Sequence, residues 1–453
     1  MTITARQSSV VTLATCNLNQ WALDFDGNAR RILESCQEAK ELGASYRLGP
    51  ELEICGYGCE DHFLEGDTFD HCWESLVRLL DEGATDDLLC DFGMPVLHGG
   101  VRYNCRVLCR NRKVLMIRPK MALADNGNYR EGRYFTAYAA PPLSPETHLL
   151  PPIFRTRFGQ RDAPFGLCHL HCADGTTIGC ESCEELWTPL AAHIDLALRG
   201  VEIIGNGSGS HHELRKLATR MELMVSATRR CGGVYLYSNQ RGCDGGRTYY
   251  DGSAMIVVNG RIVAQAPQFD VRDVHVIAAT VDLEDVRSYR ASQPSFGAQA
   301  ARAAAKEDGR GGGHGLRCDD VTLAFDPADT GSPGVRRPPL SEQSMALKIA
   351  SPEEEVCVCV CVCVKGGYFK FELYLQYLSS FQLVLPRPGL LVVGLPAAVG
   401  RCRLLPALER RGRLLLHRGH CGCDVRPRHE GRARRPFGGR RAGLPPRVPE
   451  GPR

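Results

Sequence analysis

Apolar residues follow two spacings along the first 290 residues of the chain. In residues 24–44 they recur three or four positions apart, which is the spacing of an amphipathic helix. Further helices are predicted around residues 73–80 and 212–229. Between the helices lie short runs rich in β-branched and aromatic residues, which are typical of strands. The predicted strands cover residues 10–16, 46–48, 101–110, 113–120, 176–183, 201–206, 233–239, 253–259, 261–266 and 274–282.

The order of these elements predicts the fold class. Helices and strands alternate early in this region, whereas its last part consists of consecutive strands. Asn259-Gly260 separates two of the later strands and is a strong hairpin signal. Asn111-Arg112 separates an earlier pair in the same way. We therefore predict one layered α/β domain with a mixed sheet over residues 8–290.

The composition changes after residue 290. Residues 291–355 are rich in Ala, Gly, Pro and Ser, so we expect a linker that buries little apolar surface. A strict Val-Cys repeat then occupies residues 356–364, and the chain up to residue 453 is rich in Arg, Gly, Pro and Leu. A repeated GT dinucleotide encodes only alternating Val and Cys, and GC-rich DNA read in a wrong frame yields the mixture that follows.

We hypothesise that residues 356–453 derive from a retained intron or an incorrect gene model, and we predict that they are disordered. The alternative is a genuine basic tail that binds RNA or an anionic lipid surface. Sequencing of the transcript would separate the two hypotheses.

Whole-chain composition excludes several classes of protein. The 453 residues carry a net charge of +3 at pH 7, so we expect no nucleic-acid partner. No uninterrupted apolar stretch approaches the roughly 18 residues of a membrane-spanning helix, and the first residues lack a secretory signal. We therefore expect a cytoplasmic protein without a membrane partner. The 22 cysteines are expected to be reduced and mostly buried rather than paired in disulfides.

Three chemically active side chains follow predicted strands. Glu51 comes just after a short strand and a Gly-Pro pair, Lys120 ends an apolar strand, and Cys183 lies where a strand gives way to a helix. In α/β folds, side chains at strand ends assemble into sites. A thiol attacks an amide carbonyl as the thiolate, a lysine ammonium favours that thiolate, and a carboxylate can carry the proton. Spacing alone does not establish this triad, because each residue type is more often structural.

The segments around these residues resemble the Glu–Lys–Cys triad of the nitrilase superfamily. They are more similar still to the glutaminase domain of eukaryotic glutamine-dependent NAD⁺ synthetases. The stretches that carry the resemblance are ATCNLNQWALDFDGN, YRLGPELEICGYGCEDHF, VRYNCRV, RPKMALADNGNYRE, CEELWTP, HIDLAL, GVEIIGNGSGSHHELRK, NQRGCDGGRTYYDGSAMI and DLEDVRSYRA. They cover most of residues 10–291, and SPEEE at 351–355 also fits. The resemblance implies a four-layer α-β-β-α sandwich, an enzyme that hydrolyses glutamine to glutamate and ammonia, and a homo-oligomer.

The resemblance also implies roles for individual residues. Glu51 is expected to be the general base, Lys120 the cation beside the oxyanion, and Cys183 the nucleophile that forms a glutamyl thioester. Two further residues are expected to support them, Glu131 as a second carboxylate near the lysine and Glu184 through its backbone N–H. The residues expected to hold the glutamine backbone are Tyr129, Ser210 or its near alternative Ser208, and Lys216.

The sequence departs from the resembled synthetases beyond residue 355. Their synthetase domain binds ATP and Mg²⁺, carries a Ser-Gly-Gly-x-Asp-Ser loop and amidates nicotinic acid adenine dinucleotide, and this sequence contains no such loop. The chain is therefore expected to hydrolyse glutamine without a cofactor or metal and not to make NAD⁺. Two alternatives remain open: a nitrilase-type amidase with another small amide substrate, and a truncated or regulatory polypeptide without turnover.

One cysteine- and histidine-rich run has a different interpretation. Residues 168–172 read Cys-His-Leu-His-Cys, the composition of a metal clip. Consecutive ligands close poorly around one tetrahedral zinc, and a second pair of ligands is needed. We therefore interpret the run as a thiol-rich loop.

Overall fold

A computed structural model describes residues 9–139, 145–244, 247–305, 314–325, 340–341, 355, 408–410 and 413–415. The chain divides into two compact units, Met1–Gly367 and Tyr368–Arg453. In the second unit, the described strands Leu408–Arg410 and Arg413–Leu415 form an antiparallel pair. The predicted disorder of residues 356–453 otherwise concerns residues outside the described ones. Among the described residues, no helix has both the length and the apolar character needed to cross a membrane.

Strands and helices alternate through much of the described part of the first unit. The strands are β1 Val10–Leu18, β2 Tyr46–Leu48, β3 Leu89–His98, β4 Val101–Arg110, β5 Lys113–Pro119, β6 Glu146–Leu149, β7 Asp162–Phe165, β8 Cys168–Cys172, β9 Thr177–Ser182, β10 Ile203–Ser208, β11 Val234–Gly242, β12 Tyr250–Asp251, β13 Met255–Val258, β14 Arg261–Gln265, β15 Val274–Asp282 and β16 His314–Cys318. The α-helices are α1 Phe25–Glu41, α2 Gly66–Asp81, α3 Pro152–Phe158, α4 Ala192–Leu198, α5 Lys216–Cys231, α6 Leu283–Ala291 and α7 Pro294–Ala305. Short 3₁₀ helices cover Glu60–Leu64, Glu131–Arg133 and Cys183–Trp187.

The helix α1 shows how local sequence sets an element. Asp24 precedes it and accepts a hydrogen bond from the backbone N–H of Gly27 at 3.1 Å, which satisfies one unpaired donor of the first turn. Ile32 and Cys36 lie on its buried face, in agreement with the predicted spacing. Lys40 in the last turn complements the partial negative charge of the helix end.

The strands of the first unit form one mixed sheet. Its order is β16-β8-β9-β10-β11-β1-β2-β3-β4-β5-β7-β6. β1 pairs in parallel with β2 and β11, and it pairs antiparallel with β15 from Val10↔Asp282 to Leu18↔Val274. β3, β4 and β5 form an antiparallel meander. The strands before Lys120 and Cys183, which are β5 and β9, are not neighbours in this order.

Three separate apolar clusters show how the sheet folds over. The central cluster joins side chains from distant parts of the strand order, such as Leu108 in β4 and Ile178 in β9. A second cluster packs α1 and α2 against β3 and β4. A third packs α4 and α5 against β10, β11 and β13. The sheet is therefore curled into two facing halves with helices outside, which confirms the predicted α-β-β-α sandwich.

The two predicted hairpins are present. In the β13–β14 turn, Asn259 and Gly260 have φ values of 48° and 81°. In the β4–β5 turn, Asn111 and Arg112 have φ values of 47° and 63°. Two consecutive residues with positive φ are what a tight hairpin turn of the I′ type requires.

The described part of residues 291–355 differs from the predicted linker. It contains α7 and β16, and β16 pairs in parallel with β8. Val321 and Leu323 are each 1% exposed and belong to the central cluster. A few apolar residues of this largely polar segment therefore pack against the sheet. The average composition of the segment does not predict such contacts. The run at residues 168–172 was also wrongly predicted, since it forms strand β8 rather than a loop.

Candidate active site

Glu51 lies in the turn that follows β2, and it is fully buried. Arg106 of β4 shapes the turn, because its guanidinium donates to the carbonyl oxygen of Pro50 at 2.9 Å. The Glu51 carboxylate accepts from Asn104 Nδ2 at 2.8 Å and from the backbone N–H of Gly209 at 3.1 Å. These bonds hold the carboxylate in one orientation.

Lys120 directly follows β5, and its backbone N–H donates to the carbonyl oxygen of Asn104 at 2.8 Å. Its Nζ donates to Glu51 Oε1 at 2.6 Å and to both carboxylate oxygens of Glu131 at 2.8 Å. Burial by itself lowers the pKa of Lys120, but the carboxylates of Glu131 and Glu51 outweigh it and raise this pKa well above its usual value. The lysine is therefore charged at neutral pH.

Glu131 begins a 3₁₀ helix and is 3% exposed. Besides the Lys120 ammonium, its carboxylate accepts from the hydroxyl of Tyr57 and from the backbone N–H of Ala124. Burial raises the pKa of Glu131, the Lys120 ammonium lowers it, and the Glu51 charge raises it again, so that the pKa is about 7. This carboxyl therefore changes its protonation state near neutral pH.

Cys183 is the first residue of the 3₁₀ helix that follows β9. Its φ is 39°, in the left-handed region that costs a non-glycine residue about 1–2 kcal/mol. Its backbone N–H donates to Asn206 Oδ1 of β10 at 2.9 Å. Glu184 comes next, half-buried, and its N–H lies in the first turn, where backbone donors lack a partner within the helix. A sharp strand-to-helix turn of this kind presents a nucleophile above the sheet.

Glu51, Lys120 and Glu131 are in direct contact, and Cys183 lies close enough for their charges to act on its thiol. Burial raises the pKa of the Cys183 thiol, the Glu51 charge raises it further, and the Lys120 ammonium opposes both. The charge of Glu131 also raises the pKa of this thiol, and a hydrogen bond from the Gly209 backbone lowers it. The thiol therefore keeps its proton at neutral pH, next to a charged lysine and two carboxyl groups.

Tyr129 and Lys216, which were predicted to hold a substrate, lie next to each other. The Tyr129 hydroxyl donates to the carbonyl oxygen of Gly209 at 3.2 Å and accepts from the backbone N–H of His211 at 3.0 Å. Lys216 begins α5, and its Nζ lies 5.4 Å from the ring centroid of Tyr129 and 5.8 Å from that of Trp187. The two rings attract this half-buried ammonium by cation–π interaction, and Glu213 Oε1 accepts from it at 3.4 Å.

The two serine candidates differ in their surroundings. Ser208 Oγ donates to Asn206 Oδ1 at 2.8 Å, the oxygen that also accepts from Cys183. The backbone N–H of Ser210 donates to Asn239 Oδ1 at 2.9 Å. The buried hydroxyl of Ser210 has no hydrogen-bond partner within the described ranges. Ser208 thus supports the turn at Cys183, whereas Ser210 has a hydroxyl available for another group.

Sequence reasoning missed four residues that shape this site. Asn104 and Asn206 lie inside strands with buried neighbours, and a buried amide in such a position needs hydrogen-bond partners. That signal could have drawn attention to them. Tyr57 and Glu185 lie within the stretches that carry the family resemblance. Their partners, Glu131 and Met121, are remote in sequence, so no local pattern indicated these contacts.

A cleft reaches the site from the Glu131 side. It encloses about 510 Å³ of empty space, part of it open to solvent. Its lining includes Tyr57, Tyr129, Glu131, Asp244 and Arg247. The cleft therefore ends beside Glu131, whose carboxyl group binds Lys120.

Known proteins resemble this chain in sequence and in structure. It is 58% identical over 299 residues to a glutamine-dependent NAD(+) synthetase of Saccharomyces cerevisiae, covering 66% of this chain and 42% of the relative. It is 51% identical over 350 residues to a glutamine-dependent NAD(+) synthetase of Homo sapiens, covering 76% and 46%. The crystal structure of a glutamine-dependent NAD(+) synthetase from Cytophaga hutchinsonii superposes with a TM-score of 0.52 at 28% identity, covering 60% of this chain and 43% of that one.

The chain thus spans less than half the length of these curated relatives. The carbon-nitrogen hydrolase family model matches residues 12–291, a range that contains Glu51, Lys120, Glu131 and Cys183. The match covers well over half of the chain and nearly all of the sandwich. The chain belongs to the carbon-nitrogen hydrolase family.

Proposed function

We propose that this chain hydrolyses the side-chain amide of glutamine to glutamate and ammonia, with Cys183 as the nucleophile. The observation that carries the proposal is the Lys120 ammonium, bound at 2.6 Å by one carboxylate and at 2.8 Å by another, beside a buried thiol. This buried cluster supplies a base, a cation and a nucleophile. The substrate is inferred from the relatives, whose names describe glutamine-dependent synthetases.

In the first half-reaction, Glu51 takes the proton of the Cys183 thiol as the sulfur attacks the amide carbon. The carbonyl oxygen becomes an oxyanion, which the Lys120 ammonium and the N–H of Glu184 stabilise. The carbon–nitrogen bond then breaks, and the proton on Glu51 passes to the leaving nitrogen, which departs as ammonia. A glutamyl thioester remains on Cys183.

In the second half-reaction, Glu51 takes a proton from water as the water oxygen attacks the thioester carbon. The carbon–sulfur bond breaks, the proton returns to the sulfur, and glutamate leaves.

The protonation states of Cys183 and Glu131 fit this scheme. Because the raised pKa of Cys183 keeps the resting thiol protonated, transfer of its proton to Glu51 accompanies the attack of the first half-reaction. Glu131 serves as the second counter-charge that keeps Lys120 in place.

The remaining predicted residues suit the polar end of an amino acid. The half-buried Lys216 ammonium is proposed to bind the α-carboxylate of glutamine. The Tyr129 hydroxyl is proposed to orient that end of the substrate, together with the Ser210 hydroxyl, which has no partner among the described residues. The proposed hydrolysis uses only groups of the protein and water, and it needs neither a cofactor nor a metal.

The wider activity of the relatives is a separate proposal. In a full-length enzyme, the ammonia would serve ATP- and Mg²⁺-dependent amidation of nicotinic acid adenine dinucleotide to NAD⁺. We do not propose that step for these 453 residues, because they contain no Ser-Gly-Gly-x-Asp-Ser loop. We propose further that the chain self-associates and acts in the cytoplasm, without a membrane or nucleic-acid partner.

Purified protein and glutamine, with ammonia and glutamate as readouts, test the proposal. We expect equal amounts of both products, and none above background from the Cys183→Ala control. Faster release of ammonia from other small amides would instead support a general nitrilase-type amidase. Glutamine hydrolysis indistinguishable from the Cys183→Ala control would overturn the proposal and favour a polypeptide without turnover.

A further inference from the structure

Glu185 is a buried carboxylate that the proposed mechanism does not use. It lies two residues after Cys183 and is 1% exposed. Its Oε1 accepts from the backbone N–H of Met121 at 2.6 Å, and its Oε2 accepts from the backbone N–H of Ser182 at 2.6 Å. Oε2 also accepts from Arg118 Nη1 at 2.5 Å. One carboxylate therefore binds two segments that are remote in sequence.

The donors to this carboxylate flank the two reactive positions. Arg118 and Met121 lie on either side of Lys120 in sequence, and Ser182 immediately precedes Cys183. In the described sheet, β5 pairs with β4 and β7, while β9 pairs with β8 and β10. No backbone ladder within that sheet joins β5 to β9 directly. The separation of the lysine from the cysteine therefore depends on side-chain contacts between the two strands.

The buried ion pair and hydrogen bonds of Glu185 are suited to holding the two segments at a fixed distance. Arg118 is 2% exposed, so the guanidinium and the Glu185 carboxylate are buried together. Replacing an entire buried ion pair by apolar residues is often neutral for stability, so stability alone is a weak reason for such a pair. Hydrogen bonds to two backbone N–H groups, in contrast, restrict donor–acceptor distances to within about 0.3 Å. An apolar contact would not define the spacing so narrowly.

We propose that Glu185 is a positioning residue, which sets the separation of Lys120 Nζ from Cys183 Sγ by tying the end of β5 to the turn after β9. It acts through these two groups and not on the substrate. The inference rests on the proposed reaction at Cys183. Its central claim concerns the thiol and the ammonium, so it can be tested without turnover.

Shortening the side chain tests the spacing. In Glu185→Asp the carboxylate is one methylene shorter and cannot reach both segments in their present positions. A displacement of about 1 Å can cost about 100-fold in rate, so we expect kcat to fall by about 10- to 100-fold. KM for glutamine should change by less than about 3-fold, because the residue makes no substrate contact. Glu185→Gln keeps the length and one acceptor oxygen, and it is expected to recover part of the lost kcat.

Glu202 offers a matched control. It is 6% exposed, and its carboxylate accepts from the backbone N–H of Thr177 at 3.3 Å and from Arg287 Nε at 2.6 Å. Thr177 begins β9, at the opposite end of that strand from Cys183. Glu202→Asp therefore disturbs a similar buried pair far from the reactive groups. We expect it to lower thermal stability and to leave kcat unchanged.

Alkylation of Cys183 by iodoacetamide, followed by peptide mass spectrometry over a range of pH, measures the thiol without substrate. The shorter Asp carboxylate loses its hydrogen bond to one segment, so the end of β5 is released from the turn after β9 and the two groups move apart. Because the Lys120 ammonium lowers the pKa of this thiol, the alkylation profile of Glu185→Asp should then move to higher pH. The profile of Glu202→Asp should coincide with that of the parent.

The proposal would be overturned if Glu185→Asp had the kcat and the alkylation profile of the parent. It would also be overturned if Glu202→Asp changed kcat and the alkylation profile as much as Glu185→Asp does. If Glu185→Asp is not recovered folded, Arg118→Lys is measured in both assays, and parental values there would also overturn the proposal. If the parent protein releases no ammonia from glutamine, the proposed function fails, whereas the alkylation profiles still decide the role of Glu185.

Discussion

Lys120 Nζ lies 2.6 Å from Glu51 Oε1, and neither side chain is exposed to solvent. Glu131 binds the same ammonium at 2.8 Å, so that one positive charge serves two carboxyl groups. The three groups carry a net negative charge unless one carboxyl is protonated. The pKa of Glu131, raised to about 7, places that protonation near neutral pH.

Removing the shared ammonium should damage both stability and activity. Lys120→Met leaves two buried carboxyl groups without their counter-charge, and breaking a buried pair in this way costs about 3–5 kcal/mol. We expect a drop of this size in the free energy of unfolding by urea, and a loss of ammonia release of about 100-fold or more. Lys113→Met is the control, because Lys113 is exposed and its ammonium lies 3.9 Å from the exposed carboxylate of Asp320. If the free energy of unfolding of Lys120→Met were within about 1 kcal/mol of the parent value, one ammonium would not be stabilising two buried carboxyl groups.

The pKa of Glu131 should make stability depend on pH. Folding raises this pKa from 4.5 to about 7, so the folded state holds the proton more tightly than the unfolded state. The resulting stabilisation is fully present below pH 4.5 and is lost as the pH rises through about 7. Relative to Glu131→Gln, which does not titrate, the parent should lose free energy of unfolding across this window. Denaturation of both proteins at several pH values measures the difference, and a constant difference would argue against the raised pKa.

The backbone at Cys183 predicts an unusual order of stability. Glycine adopts a φ of 39° without the steric cost that a Cβ adds, so Cys183→Gly should be more stable than Cys183→Ala by about 1 kcal/mol. Neither variant should release ammonia. At Cys180, which lies in β9 and does not have a positive φ, the order should reverse. Thermal unfolding of the four variants tests this, and an alanine variant more stable than the glycine variant at both positions would mean that the turn is not strained.

Lys216 should affect binding of the substrate more than its conversion. Lys216→Met keeps the aliphatic stem beside the rings of Tyr129 and Trp187 but removes the charge proposed to bind the α-carboxylate. We expect KM for glutamine to rise about 10-fold or more, with little change in kcat. Lys216→Arg should restore part of the affinity. A fall in kcat at unchanged KM would place the residue in the chemical step instead.

The hypothesis about the tail makes a prediction for the messenger RNA. If residues 356–453 derive from a retained intron or an incorrect gene model, the dominant transcript should lack the GT repeat that encodes residues 356–364. Long-read sequencing across this position provides the measurement. A dominant transcript that contains the repeat would support a genuine basic tail.

Several features of the fold could be predicted from local sequence. The helix predicted over residues 24–44 is α1, Phe25–Glu41, because a one-sided apolar spacing directly reports which face is buried. The hairpin at Asn259-Gly260 follows from the backbone conformations that these two residues tolerate. Strand β3, Leu89–His98, was missed, because its first eight residues are all buried and show no alternation of polar and apolar positions.

The positions of Glu51, Lys120 and Cys183 at strand ends were also readable from the chain, and the family resemblance grouped them. Only the tertiary structure decided how they meet. In that structure, β5 and β9 are separated in the sheet order, and the Glu185 carboxylate accepts hydrogen bonds from residues at the ends of both strands. Periodicity depends on neighbours a few residues away, whereas the order of strands and the contacts across a curled sheet depend on how distant segments pack together.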